Sequence, residues 1–530
     1  MKLMTKLAKL AVPIALAISG TAALPSEAAT ATPAPARAKA GEEVFYHVFL
    51  RSFRDSNGDR IGDLPGLTAK LDYLKQLGIT SILLTPLQPS PYYHNYFATE
   101  FKAIEPEYGT MDDYFAFVRA AHARGLKVYL DQEFQYVAEG HPWLEESLDR
   151  ADAPHAKYLL WRKPDHSEAE PFLNQARWEG YDGRRIAIAM VDMNQPAVQR
   201  YFQDLLLYWV DPHGDGSGRD GVDGLRIDHM MDDVDNKGLA KDLFAKFWTP
   251  TFRTLKTRRP GLRIIAEQYD WGFGEDWLTR GNADLVFAFP MRGALTKLDK
   301  AQLVKAVRET EAKTPAGKGQ IVFLENHDTD RFMSLARDPA RARAGAALAL
   351  LLKGEPLIYY GQELGMRGIA RQGTMSDAAH IPLREAFRWD ADLNADGSAI
   401  WYRRDDAPFW TERYNRSNDG VSVEEEAAAG SLLAWYRELL SLRSTRPELR
   451  HGDQRLLCDS DPDLMCVLRE DGARRSLLLV NLGDKPATPL LDSALAGARW
   501  IDLLGAAPHA RVDPTRLNLP PMAVRVIGSP

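Results

Sequence analysis

The chain has 530 residues, which is too long for one ordinary domain but suits a barrel with appended modules. Its formal net charge is -7 and it has no basic cluster, so nothing in the composition points to nucleic acid. A neutral or acidic partner is the more natural expectation.

The N-terminus has the features of a secretory signal. Three lysines within the first nine residues precede an apolar run at 10–18, and small residues follow as far as Ala28. This pattern predicts a signal peptide over 1–28, because the apolar run is too short to span a bilayer; an N-terminal membrane anchor is the alternative. Removal of three lysines and one glutamate changes the formal charge from -7 to -9. Residues 29–42 are then a disordered leader, and the protein is exported to the periplasm or outside the cell.

Strand-like and helical segments alternate along the rest of the chain. Apolar strand-like runs fall at 44–50, 79–84, 126–130, 222–229, 262–266, 284–289, 321–324 and 356–360. Helical spacing falls at 64–77, 112–124, 195–210, 243–255, 303–310 and 340–352. Eight strands with intervening helices predict an α/β fold, a closed (β/α)₈ TIM barrel with parallel strands.

Two regions depart from this alternation. Residues 135–194 are too long for an ordinary loop between a strand and a helix, and they predict an inserted domain after the third strand. The barrel would therefore consist of 43–134 and 195–450, with a last helix near 432–443. Short β-rich runs then predict a C-terminal β-sandwich over 451–530.

The two cysteines, Cys458 and Cys466, flank a turn-like Asp-Ser-Asp-Pro-Asp segment. Their side chains could meet across a hairpin, and an exported protein makes a disulfide possible. The spacing does not fix the distance between them, so two thiols are an equal alternative.

Charged side chains follow several of the predicted strands. The third strand ends at Asp131, the fourth carries Arg226 and Asp228 in VDGLRIDH, and the fifth ends at Glu267 in IIAEQ. The seventh is followed by FLENHD, which contains His327 and Asp328. Each could be a solvated acid or part of a structural ion pair. Together they place several carboxylates on one rim of the barrel, where active sites of this fold form.

Paired carboxylates are the groups that retaining glycoside cleavage requires, one as nucleophile and one as acid. Arg226 would keep Asp228 ionised, which suits the nucleophile. Glu267 follows an apolar strand, so desolvation would raise its pKa and suit the acid. Asp328, beside His327, would bind sugar hydroxyls and favour the transition state.

These motifs, in this order, resemble those of the alpha-amylase superfamily, glycoside hydrolase family 13. IEPEYGTMDDY, VDMNQPAV, GEPLIYYGQELGM and REAFRW also resemble family segments, so the similarity covers essentially the whole mature chain. The resemblance implies that Asp228 is the nucleophile, Glu267 the acid/base and Asp328 the transition-state stabiliser. It implies that Arg226 and His327 are their subsite partners, and that the insertion and the tail are domains B and C.

The sequence also departs from the family pattern. Where the first motif usually ends Asn-His it has Gln135 and Tyr136, and Gly-Tyr-Asp upstream appears as Asn-Tyr-Phe, with Tyr96 retained. The family lysine and histidine after the nucleophile are Met231 and Asp232. These changes weaken the case for the calcium site that many amylases build from the first-motif Asn. We expect Tyr96 and Tyr136 to contact the sugar.

A different calcium site is predicted in the acidic loop DSNGDRIGD. Oxygen donors alternate through it as in an EF-hand loop, with Gly66 at the twelfth position in place of Glu. The expected ligands are Asp55, Asn57, Asp59, Asp63 and the carbonyl of Ile61. The loop resembles one after the first strand in oligoglucosidase-like relatives; a turn-rich acidic loop without metal is the alternative.

The function expected is that of an exported monomer that acts on an α-glucan or maltooligosaccharide at α-1,4 bonds, with retention. An α-glucosidase or glucosyl-transferring enzyme is an alternative, and a non-catalytic glucan-binding relative is another. Neither nucleic acid nor stable membrane insertion is expected. Aromatic residues that could form sugar platforms are Tyr92, Tyr93, Tyr96, Trp143, Trp271 and Trp401.

Overall fold

The computed structural model describes residues 41–371, 376–403, 418–504 and 508–530. Eight parallel strands close into a barrel, in which each strand pairs with the next in chain order and the eighth pairs with the first. These strands are Phe45–Val48, Ser81–Leu84, Lys127–Gln132, Gly224–Met230, Arg263–Gln268, Leu285–Phe287, Gly319–Phe323 and Glu355–Tyr359. The predicted (β/α)₈ barrel is confirmed.

Alternation along the strands divides the side chains between two cores. One set, including Phe45, Leu83, Ile265 and Phe323, forms a cluster of its own, separate from the main core. Their neighbours, such as Ile82, belong to the main core, which also contains the buried faces of the helices. Strands buried on both faces read as continuous apolar runs, which is why the sequence revealed them.

The helices cover the outside of the barrel. The α-helices are Leu64–Ala69, Leu71–Leu77, Met111–Ala123, Pro142–Ser147, Pro196–Val210, Thr249–Arg258, Glu275–Thr279, Phe289–Leu295, Lys300–Ala312, Phe332–Ala336, Pro339–Leu351, Leu432–Thr445, Pro447–Arg450 and Ser493–Ala496. The helix predicted over 64–77 is interrupted at Lys70, whose φ of -105° and ψ of 5° are not helical. The segment predicted over 243–255 begins with a π-helical turn at Phe244–Trp248.

The insertion after the third strand contains little regular structure. Tyr136–Ala138 pairs with Ile188–Met190, and Trp178–Glu179 pairs with Arg185–Ile186, both antiparallel. Between them lie the helix Pro142–Ser147 and short 3₁₀ turns. This small domain stands over the carboxyl ends of the barrel strands because both of its ends join the chain there.

The C-terminal region is β-rich, as predicted, and its described strands form one antiparallel sheet of six. They are Asp453–Leu457, Leu464–Asp471, Arg474–Asn481, Trp500–Leu504, Arg511–Val512 and Val524–Gly528. Val467 and Leu478 on one face belong to the main core, so this face packs on the barrel. Leu495 and Leu519, which lie outside the sheet, cover the other face in place of a second sheet.

Cys458 and Cys466 are joined by a disulfide, with Cα atoms 5.7 Å apart. Cys466 lies in the second strand of the sheet, and Cys458 directly follows the first. The bond closes the hairpin turn, which settles the choice between disulfide and thiols.

The predicted signal peptide and most of the leader lie outside the described residues. The described chain begins at Gly41, which is buried and donates its N–H to Glu355 Oε1 at 3.1 Å. Among the residues that the structure covers, no helix is long and apolar enough to cross a membrane.

Candidate active site

The predicted charged residues meet at the carboxyl ends of the barrel strands. Asp131 of the third strand is the register partner of Arg226 in the fourth. Arg226 and Asp228 share one face of their strand because side chains alternate with a period of two. Glu267 ends the neighbouring fifth strand, and Asp328 follows the seventh.

Arg226 connects three of these carboxylates. Its Nη1 donates to Asp131 Oδ2 and to Asp228 Oδ1, and its Nη2 donates to Glu267 Oε2, each at 2.5 Å. The guanidinium is 1% exposed, so these charges interact with little screening by solvent. An arginine presents several donors in a fixed plane, which lets one side chain orient all three acids.

A second group of contacts holds Asp328. His327 Nε2 lies 2.9 Å from Asp328 Oδ2, and Arg384 Nη2 donates to Asp328 Oδ1 at 2.8 Å. Arg384 also donates from Nε to the carbonyl of His327 at 2.9 Å. Tyr96 joins the two groups, since its hydroxyl donates to Asp131 at 2.7 Å and lies 2.9 Å from His327 Nε2.

The three acids have different electrostatic surroundings. Burial raises the pKa of Glu267 to about 7; Arg226 opposes this rise, whereas Asp228 and Asp328 add to it. Burial also raises the pKa of Asp228, with Arg226 again opposing. The sequence predicts that Arg226 favours the ionised form of Asp228, and the structure adds that burial of this carboxyl acts in the opposite direction.

Asp328 differs from both. Burial would raise its pKa, but His327 and Arg384 hold it well below the usual value of 3.8. The site thus combines an acid that retains its proton near neutrality with a firmly ionised aspartate. Such a pair of unlike carboxyl groups is suited to donate a proton to one atom while stabilising positive charge at another.

Of the remaining predicted site residues, Tyr96 lies within the group and Tyr136 lies beside it. The Tyr136 hydroxyl donates to Asp235 Oδ1 at 2.6 Å, and its ring packs on Phe172. Gln135 donates from Nε2 to the carbonyl of His229 at 2.7 Å. Two of the departures from the family pattern therefore connect the inserted domain to the loop after the fourth strand.

A cavity of about 460 Å³ opens beside these carboxylates. Its walls contain Asp228, His327, Asp328 and Arg384 together with aromatic side chains. Of the candidate platforms, Tyr92 and Tyr96 line it. The others are placed elsewhere: Tyr93 stacks on Trp401, Trp143 is buried in the main core, and Trp271 is 43% exposed on Phe289.

Sequence reasoning assigned no individual role to many residues of the cavity wall, among them His94, Asp377, His380 and Arg384. Arg384 lies in REAFRW, so its motif was noticed but its contact with Asp328 was not. His94 lies on an irregular loop after the second strand, and Asp377 and His380 lie in the short 3₁₀ helix Asp377–Leu383 after the eighth; such segments leave little periodic signal.

The predicted calcium loop is compact, and its acidic side chains accept backbone N–H groups. Asp55 accepts from Gly58 and Arg60, and Asp63 accepts from Gly66, where it caps a helix. In the part of the chain that the structure describes, no group of three or more His, Cys, Asp or Glu residues is placed to hold a metal ion.

Comparison with known proteins identifies the family. The model for the alpha-amylase catalytic domain matches residues 47–452. Alpha-amylase 3 of Dictyoglomus thermophilum is 29% identical over 457 residues, 83% of this chain and 84% of that protein. Trehalose synthase/amylase of Mycolicibacterium smegmatis is 28% identical over 486 residues, 81% of this chain and 80% of that protein.

Solved structures agree with the sequence comparison. The crystal structure of an alpha-amylase from H. orenii superposes with a TM-score of 0.76 at 26% identity, covering 92% of this chain and all of that one. The family model spans well over half of the chain and includes every catalytic candidate. The chain therefore belongs to the alpha-amylase family, glycoside hydrolase family 13, and is an enzyme of that type.

Proposed function

We propose that this protein is an exported enzyme that cleaves α-1,4-glucosidic bonds in starch-like glucans or maltooligosaccharides with retention of configuration. One observation carries the proposal: Arg226 binds both Asp228 and Glu267, while burial raises the pKa of Glu267 to about 7. A nucleophile and a protonated acid held by one side chain are the two groups that double displacement needs.

In the first step, a carboxylate oxygen of Asp228 attacks the anomeric carbon as the glycosidic C–O bond breaks. Glu267 gives its proton to the leaving oxygen, and the glycone remains as an ester on Asp228. Asp328, held ionised by His327 and Arg384, stabilises the positive charge that develops on the sugar ring.

In the second step, Glu267 is a carboxylate and takes a proton from water. The hydroxyl oxygen of that water attacks the anomeric carbon, the ester bond breaks, and Asp228 is released as a carboxylate. Glu267 is then protonated again, and the product has the starting anomeric configuration. If a sugar hydroxyl replaced water, the same step would transfer the glycosyl group, as the name of the mycobacterial relative suggests for that protein.

The assignment is tested by Glu267→Gln and Asp228→Asn, which keep side-chain volume while removing acid and nucleophile. We expect each to lower the release of reducing sugar from maltooligosaccharides by at least about 10³-fold. Arg337→Gln, at an exposed position just after the helix Phe332–Ala336, is a control. Activity of the Glu267 or Asp228 variant within tenfold of wild type would refute the assignment.

Export is proposed on two features. The first 28 residues have the pattern of a cleavable signal. The Cys458–Cys466 disulfide is a bond that forms and persists in oxidising compartments. Mass spectrometry of the protein recovered from the periplasm or the medium should give an N-terminus near Ala29 or Thr30; recovery of Met1 would contradict the proposal.

Calcium binding by the acidic loop is a second proposal, supported by the alternation of oxygen donors. Burial raises the pKa of Asp63, and the neighbouring Asp55 raises it further, so a bound cation would relieve this repulsion. Chelation should then lower the melting temperature of the wild type, and Asp59→Ala should abolish that response. A melt of the wild type that does not respond to chelator or to added Ca²⁺ would reject the site.

A further inference from the structure

The cavity beside the catalytic candidates lies on one side of the bond to be cleaved. Its walls contain Asp228 and Asp328 but not Glu267. The acid protonates the leaving oxygen and so stands towards the departing sugar, whereas the nucleophile and the stabilising carboxylate face the sugar under attack. The cavity is therefore the pocket of the attacked sugar, and we call it the glycone pocket.

Three segments of the chain meet at the wall of the glycone pocket that contains Glu179, Ser376 and Asp377. The backbone of Glu179, in the inserted domain, pairs with Ser376 after the eighth strand. Ser376 Oγ donates to the carbonyl of Gly180 at 3.3 Å. Tyr93, after the second strand, donates its hydroxyl to the carbonyl of Asp377 at 3.0 Å. These contacts tie the inserted domain to the barrel loops on this side.

Aromatic rings form the walls of the pocket next to these contacts. Tyr92 stacks on His94 with ring centroids 5.3 Å apart, and its hydroxyl donates to the carbonyl of Trp178 at 3.2 Å. Phe97 packs edge-on against Tyr92 at 5.5 Å. These rings lie in the wall of the pocket beside the contacts between the inserted domain and the segment after the eighth strand.

Asp377 places a carboxylate in the same wall. Its side chain is 11% exposed, and no side chain within the described residues donates a hydrogen bond to either oxygen. His94 Nε2 is 3.9 Å away, and Arg384 is engaged by Asp328 and Tyr93. Burial raises the pKa of Asp377 to about 7. Backbone N–H groups of Tyr181 and Ala378 favour its ionised form, but they leave acceptor capacity that the hydroxyl groups of a sugar could fill.

We infer that Asp377 binds hydroxyl groups of the terminal, non-reducing sugar in a closed glycone pocket, so that the enzyme acts on chain ends and not on interior bonds. This inference rests on the proposed function and names its substrate class. Asp377 is then a substrate-binding residue, and His94 is its neighbour in the wall.

The first test compares maltoheptaose with maltoheptaose whose non-reducing end carries a 4,6-O-ethylidene group. We expect the free oligosaccharide to be cleaved, with glucan shortened from its end, and the blocked one to be cleaved at least about 10²-fold more slowly. Similar rates on both substrates would overturn this inference alone. Cleavage of neither would overturn the proposed function and this inference with it.

The second test compares Asp377→Ala and Asp377→Asn with the control Asp182→Asn. Asp182 belongs to the same end of the inserted domain, but Arg184 occupies its carboxylate. We expect Asp377→Ala to raise KM for maltotriose by about tenfold or more, with a smaller change in kcat, and the control to stay within about twofold. Asp377→Asn keeps the volume if the alanine variant fails to fold. An unchanged KM in a folded Asp377 variant would overturn the inference.

Discussion

The pKa of Glu267 makes the alkaline side of the pH–rate profile a direct test of its role. As the acid, Glu267 must carry its proton, and burial raises its pKa to about 7. At pH 8 about one tenth of the enzyme would retain this proton, and at pH 9 about one hundredth. We therefore expect kcat/KM for a maltooligosaccharide to fall about tenfold per pH unit above pH 7.

A glycosyl fluoride with the same glycone provides the control, because fluoride departs with much less help from an acid. Its kcat/KM, which reports formation of the glycosyl-enzyme, should remain nearly flat from pH 7 to pH 9. Initial rates on both substrates, measured in one buffer series with enzyme stability checked at each pH, decide the matter. An alkaline fall of equal steepness and midpoint for both substrates would refute the assignment of Glu267 as the acid.

Two further predictions concern buried charges near the site and away from it. Arg384→Lys can preserve only part of the contacts to Asp328, His327 and Tyr93. We therefore expect kcat/KM to fall about 10- to 100-fold while the circular dichroism spectrum stays unchanged. A change in kcat/KM within twofold would contradict this prediction. Burial raises the pKa of Glu363 to about 7, so the folded protein favours the protonated form of this side chain. The resulting contribution to the free energy of unfolding is present below pH 4.5 and is lost as the pH rises through 7. Between pH 4.5 and 7.5, the free energy of unfolding measured with denaturant should fall by about 3 kcal/mol more in the wild type than in Glu363→Gln. Parallel plots of this free energy against pH for the two proteins would contradict the prediction.

The barrel could be predicted because its strands are buried on both sides. Ser81–Leu84 and Glu355–Tyr359 are fully buried, and such runs stand out from the amphipathic helices between them. The inserted domain could be predicted in extent but not in structure, because strands of two or three residues such as Trp178–Glu179 leave no periodic pattern. Likewise, the C-terminal region was predicted as a β-sandwich, and its described strands form one sheet of six, because the face covered by Leu495 reads in the sequence like one covered by another sheet.

The site could be predicted as far as it is built from strand ends. Asp131, Asp228 and Glu267 each lie near the end of a strand, and the barrel geometry brings them together whatever the loops do. Asp377 and His94 could not be found in this way, because His94 lies on an irregular loop and Asp377 begins a short 3₁₀ helix. Their approach depends on how the segments after the second and eighth strands pack together. The inferred binding of the terminal sugar involves these segments, whereas the catalytic candidates lie near strand ends, so the sequence indicates the chemistry more clearly than the sugar.

The different protonation states of Asp228, Glu267 and Asp328 are not explained by their positions near strand ends alone. Arg226 is shared by Asp131, Asp228 and Glu267, so it cannot by itself make one of them an acid and another a nucleophile. The difference arises from the other neighbours: Asp228 and Asp328 disfavour the ionised form of Glu267, whereas His327 and Arg384 stabilise the ionised form of Asp328. The second arginine thus has two effects. It favours the ionised form of Asp328, and the negative charge of Asp328 in turn raises the pKa of Glu267. These are the two protonation states that the proposed mechanism requires.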